Sequence, residues 1–169
     1  MPRVAPVLDH TLHMIEDLRG QVRDLIADLP AEALNWLPLP EAEDHSMNSL
    51  AVMAAHVAGA EHFWIAEVIG GYPATRDRPA EFVTEVDGPD SLLARLDEVG
   101  AETREVFARL TAADLDEIRQ AHERAVTTRW AILHVIDHTA LHLGHMQITY
   151  QLWMGGGSKP SPRWYERLP

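Results

Sequence analysis

The chain has 169 residues, 26 of them acidic and 14 basic, giving a formal net charge of -12, with 46% hydrophobic residues, 24% charged residues and no cysteine. That length and composition suit one folded domain, set here at residues 1–169, and exclude a disordered chain. The negative charge sets the surface against nucleic acid and anionic membranes. Without cysteine there is neither a disulfide nor a protein thiolate, so a bound metal must use His, Asp or Glu, and thiol chemistry needs a thiol from outside. No apolar run of about 18 residues and no signal-peptide core appear, which makes a cytoplasmic address the default.

In chain order, Leu8, Leu12, Ile15, Val22, Leu25, Ile26 and Leu29 recur at three- and four-residue intervals and predict an amphipathic helix from about Pro6 to Leu29. His10 and His13 read there as surface or boundary residues. Pro30, Pro38 and Pro40 break the period, and Leu34, Trp36 and Leu37 anchor an ordered connection. A second helix is predicted over about 47–69, capped by Ser46 or Asn48 and stopped by Gly70 and Gly71. His56 sits in it among small apolar residues. Alone, it reads as a core histidine satisfied by one hydrogen bond. Glu61 and His62 lie about 140° and 240° round the wheel from His56, which predicts rim positions for both.

Tyr72 to Pro89, rich in Pro, Gly, Asp and Arg, reads as a long surface loop that covers something. A third helix over about 90–110 has a core stripe from Leu92 to Leu110, a solvated face that includes Glu102, and a mild weakness at Gly100. Thr111 to Val126 predicts an irregular connection, a short helix or a hairpin. A fourth helix, 128–153, capped by Thr127 or Thr128, carries His134, His138, His142 and His145. Positions four apart on a helix are about 40° apart in azimuth and about 6 Å apart along the axis, so these imidazoles share a side and two of them can face one ion. A third ligand must come from another segment, and that requirement promotes His56. In the tail, Trp164 and Tyr165 are positioned to tack the chain end onto the helices.

Four amphipathic helices joined by long loops predict an all-α, four-helix-bundle fold, whose interior accepts ligands from facing helices. The segment AAHVAGAEHFW, with His56, and the segment HTALHLGH, with His138, His142 and Gly144, resemble the two motifs of the DinB-like superfamily: a histidine in the second helix and His-x-x-x-His-x-Gly-Gln in the fourth. The resemblance extends over nearly the whole chain, including WLPLP and the cap at Asn48 and Ser49. His145 departs from it by standing where glutamine is usual. The resemblance implies a divalent metal, zinc, nickel or iron, held by His56, His138 and His142. His134, His145 and Glu61 are candidates to support those ligands, and His134 reads equally as a core residue.

Three imidazoles leave open positions on the ion, as in catalytic rather than closed sites. The resemblance implies transfer or activation of a low-molecular-weight thiol, such as bacillithiol or mycothiol, with an electrophilic substrate entering beneath the 72–89 loop. A metal-dependent hydrolase is the alternative, with Glu61, His145 or Asp137 moving protons. A non-catalytic metal-binding bundle is another. Pairing of small bundles through their helices makes a homodimer a further expectation.

Overall fold

In a computed structural model that describes residues 6–39, 47–159 and 166, the first apolar stripe forms the buried side of α1 (Pro6–Ile26), with Leu8, Ile15, Val22, Leu25 and Ile26 inside. The helix ends at Ile26 rather than Leu29. The proline-rich connection forms a single helical turn, α2 (Ala31–Leu34). Asn35 then clamps Val86, donating to its carbonyl at 2.7 Å and accepting from its amide at 3.0 Å, and so ties this connection to the later loop. Ser46, Trp164 and Tyr165 lie outside the described residues.

The helix α3 (Leu50–Glu61) starts on Ser49, whose hydroxyl accepts from the Val52 amide. It is apolar almost all round and buried almost all round, as expected of a helix with neighbours on every side. At His62 it passes into a π-helical stretch, His62–Ile69, which closes with Gly70 N donating to the Ile65 carbonyl five residues back at 2.9 Å. From His62 onward the wider winding abandons the 3.6-residue period on which the wheel angles relied, while Glu61, still in α3, faces α1 and α5 rather than solvent. Glu61 and His62, predicted at the rim, are both buried.

The 72–89 loop contains one turn of helix, α4 (Arg78–Glu81), capped by Asp77, which accepts from the Ala80 amide at 3.1 Å. After α5 (Asp90–Arg109) and a 3-10 turn (Ala112–Asp116), the polar connection folds into an antiparallel hairpin, β1 (Ile118–Ala121) and β2 (Arg124–Thr127), with Ile118 opposite Thr127. Thr127 then caps α6 (Thr128–Trp153) by accepting from the Trp130 amide.

Helices α1 and α3 each pack against both α5 and α6. Two apolar clusters fill the interior, one around Val22, Ile26, Leu50, Val57, Leu96 and Met146, the other around Ile15, Ile65, Val106, Phe107, Ile132 and Val135. Between them along α1, α3 and α5 lies a buried polar link: Glu61 accepts from Arg19 and, at 2.5 Å, from the Thr103 hydroxyl. Burial lifts the Glu61 carboxyl above its ordinary range even against the Arg19 charge. Gly100 serves this link. A Cβ there would stand 2.8–2.9 Å from the Arg19 guanidinium, so the residue predicted to weaken α5 is the one that admits Arg19. Among the described residues, no helix is long and apolar enough to cross a membrane.

Candidate metal centre

On α6, Val135, Thr139 and Leu143 turn into the core, which fixes the helix rotation so that His138 and His142, one turn apart, face α3. His56 meets them from α3. One ring nitrogen from each of the three lies within 4.8 Å of the others. The His56 and His138 Nε2 atoms are 3.1 Å apart, and the ring centroids are 4.4–5.0 Å apart. Ligands about 2.0–2.1 Å from a tetrahedral ion stand roughly 3.3–3.4 Å from one another, so the 3.1 Å separation suits one coordination edge. His142 Nδ1 is buried with no hydrogen-bond partner among the described residues. An orphaned ring nitrogen of that kind is costly in a closed interior and suits a centre completed by an ion. The donor set therefore fits a divalent metal.

His56 is almost fully covered. Its ring packs at 4.9 Å against Phe82, which follows α4, so the 72–89 loop does cover something, namely this histidine. Its Nδ1 bonds to Glu81 Oε2 at 2.8 Å, which leaves Nε2 to face His138. Burial pulls the Glu81 carboxyl upward, but its hydrogen bonds from Arg76 and His56 outweigh that and hold it below the ordinary carboxylate range.

Burial pushes the His138 imidazole down to about 3, helped by His142, His56, His134 and Arg76; burial and then His56 and His145 push His142 down to about 4. Both rings are neutral at pH 7, with lone pairs available to a metal. The metal-free protein should therefore lose stability as pH falls. Below about 6.5 the unfolded chain takes up protons on these histidines that the folded chain refuses until about 4 and below. The contribution is complete above pH 6.5 and fades as pH falls, toward about 4 for His142 and about 3 for His138. Thermal melts of chelator-treated protein between pH 7.5 and 4.5 should show this decline, and a His138→Leu, His142→Leu double variant should show a shallower one. Equal slopes would contradict the assignment.

The other predicted residues divide. His134 stacks on Trp130 at 4.8 Å and meets the edge of Trp64 at 5.2 Å, with its ring 5.7 Å from His138, so it borders the cluster as part of an aromatic wall. His145 is exposed and edge-on to His142 at 5.8 Å. Glu61 is not brought to the cluster, because its carboxylate is engaged by Arg19 and Thr103. His62 bonds instead to Glu102 at 2.6 Å and to Thr75 at 2.9 Å, and Glu102 is thereby drawn out of its predicted solvated role. His10 is exposed, His13 half-buried, and neither belongs to the cluster. Asp137 is exposed.

Sequence reasoning missed Glu81 and Arg76. Asp77 ahead of Pro79 is a helix-start signal that could have located α4. Nothing in that signal says that Glu81 reaches a residue on another helix. Beneath the loop lies a cleft of about 380 Å³ between α3 (Ala55, Gly59), the loop (Thr75, Arg76, Glu81) and α5 (Arg95). It borders the Arg76–Glu81 pair, and none of the three histidines lines it.

The family model described as mycothiol-S-transferase matches residues 10–155 of the chain. No curated protein matches it. A crystal structure of a conserved protein from Enterococcus faecalis is similar with a TM-score of 0.69 at 16% identity, over 88% of this chain and 98% of that one. A DinB-like protein from Bacillus cereus is similar with a TM-score of 0.64 at 16% identity, over 89% of this chain and 91% of that one. At such identities the two structures speak for the fold, which is mostly helical and DinB-like.

Proposed function

Because the chain belongs to the mycothiol-S-transferase family, we propose that it is a divalent-metal-dependent thiol S-transferase in which His56, His138 and His142 hold the ion. The observation that carries this reading is the convergence of three imidazoles from α3 and α6, two of them held neutral by burial, on one point. A bound divalent ion, whether zinc, nickel or iron, supplies Lewis acidity that lets a thiol lose its proton near neutral pH.

The protein's own residues do the rest. His56 is aimed through Glu81, while His138 and His142 are aimed by the rotation of α6. The wall of His134, Trp130 and Trp64 offers apolar surface beside the ion for the electrophile. His145, exposed one turn from Leu141 and beside His142, is placed to take up or return a proton. In the transfer, the thiol loses its proton, a sulfur–carbon bond forms, and either a halide leaves with its bonding pair or an epoxide C–O bond opens and its oxygen is protonated. The lack of cysteine accords with sulfur that arrives on the cosubstrate. We read α1, α3, α5 and α6 as a single four-helix bundle and one domain, with the shorter elements in its connections.

The test is turnover. Metal-loaded protein, given mycothiol and an alkyl halide or epoxide, should consume thiol and form the thioether, and bacillithiol in a parallel reaction asks which thiol is preferred. Chelation or His138→Ala should return the rate to background. Hydrolysis of esters or amides without thiol would favour a hydrolase instead. A large loss of melting temperature on chelation without any turnover would favour a metal that only staples the helices.

A further inference from the structure

Gly59 explains how an acidic side chain from a surface loop reaches a buried histidine. A Cβ at position 59 would lie 2.0 Å from Glu81 Oε1 and 2.7 Å from its Cδ, so the carboxylate occupies space that only a bare α-carbon leaves open. Arg76 grips that carboxylate twice, Nε to Oε1 at 2.6 Å and Nη2 to Oε2 at 2.9 Å. The Arg76 main chain is fixed in turn by Glu67, whose Oε1 accepts from the Thr75 and Arg76 amides at 2.6 and 2.8 Å. The chain of contacts ends on one atom, His56 Nδ1, which lies 2.8 Å from Glu81 Oε2 and 3.5 Å from Arg76 Nη2. The shorter contact, to a carboxylate, is the one that sets its protonation.

A neutral imidazole has two tautomers, and only the nitrogen without a proton can bind a metal. An ionised carboxylate accepts and never donates, so its bond to Nδ1 places the proton there and leaves the lone pair on Nε2, the atom that faces His138. From this we infer that Glu81 is a positioning residue for metal binding: it fixes His56 as the Nδ1–H tautomer with Nε2 as its ligand atom, while Gly59 and Arg76 seat the carboxylate. The metal-binding consequence rests on the function proposed above; the tautomer does not, because it exists without the ion. A carboxylate behind a ligating histidine also raises its basicity and restricts its ring, and loss of such a partner weakens metal affinity by roughly 10–100-fold.

Two measurements test the inference. In metal-free protein, nitrogen-15 chemical shifts of the His56 ring should report the Nδ1–H tautomer, and Glu81→Ala should replace it by a mixture. Zinc affinity, read by competition with a chromophoric chelator, should fall by roughly 10–100-fold in Glu81→Ala and in Gly59→Ala. Glu81→Gln should recover part of the loss, because its amide oxygen still accepts. Gly59→Ala meets the ends of two side chains, Glu81 and, at 3.3 Å, Arg76, and no backbone atom, so it should keep the helical circular dichroism spectrum, which separates positioning from folding. An Nε2–H tautomer in the unsubstituted protein, or unchanged zinc affinity in both alanine variants, would overturn the inference. Failure of the unsubstituted protein to bind zinc would overturn the metal centre itself, and the tautomer spectrum, recorded without metal, tells that failure apart from failure of the Glu81 link.

Discussion

Alanine at His142 or at His56 is expected to strip the protein of its metal. Each change removes one of three donors that meet within 4.8 Å, and loss of a ligand should cost more than the roughly 100-fold that marks the upper end for groups behind ligands. Elemental analysis after gel filtration should show most of the metal gone from either variant, with thiol consumption falling in parallel. The helical spectrum should remain. His142 is only partly buried, and in the His56 variant Glu81 keeps both of its bonds to Arg76. Metal retained at the unsubstituted level in both variants would contradict the account.

The largest effect on stability should come from the opposite side of α3. Glu61→Ala leaves the buried Arg19 guanidinium with only the partly exposed Glu16 carboxylate, 3.7 Å away, and breaking a buried pair from one side costs about 3–5 kcal/mol. For a domain of this size, with about 2–4 °C of melting temperature per kcal/mol, Tm should fall by roughly 6–20 °C. Replacing both partners, Arg19→Met with Glu61→Leu, should recover most of the loss, since no lone charge remains inside. Gly100→Ala should act like a milder Glu61→Ala, because its methyl group displaces Arg19 from the pair. A single Glu61 variant with unchanged Tm would show that the pair contributes nothing to the fold.

The two faces of α3 also explain which parts of the molecule were legible in the sequence. The helices α1, α5 and α6 follow from their apolar spacing to within a few residues, and the cap at Thr127 follows from its hydroxyl. His138 and His142 were legible because four-residue spacing is a local property of one helix. His56 needed more: an apolar helix gives no direction by its pattern, and only the demand for a third donor, with the resemblance in its motifs, singled it out. Glu61 keeps its wheel direction in α3 but is buried, because α1 and α5 cover that side of the helix and supply Arg19 and Thr103 to its carboxylate. From His62 onward the winding itself changes, and no Pro or Gly at that position announces a π-helical stretch. Glu81 was hidden for a different reason. Its partner is 25 positions away in sequence, and the space it uses is the side chain that Gly59 lacks. A sequence displays the residues that fill space more readily than the glycine that leaves it empty.

The most direct test of the metal centre is a crystal of the zinc-loaded protein with anomalous diffraction recorded on both sides of the metal absorption edge. The account predicts a single strong peak per chain, about 2.0–2.1 Å from His56 Nε2 and from one ring nitrogen each of His138 and His142, with at least one further position open. A peak bound elsewhere, or the three imidazoles turned into packing around no peak at all, would contradict it.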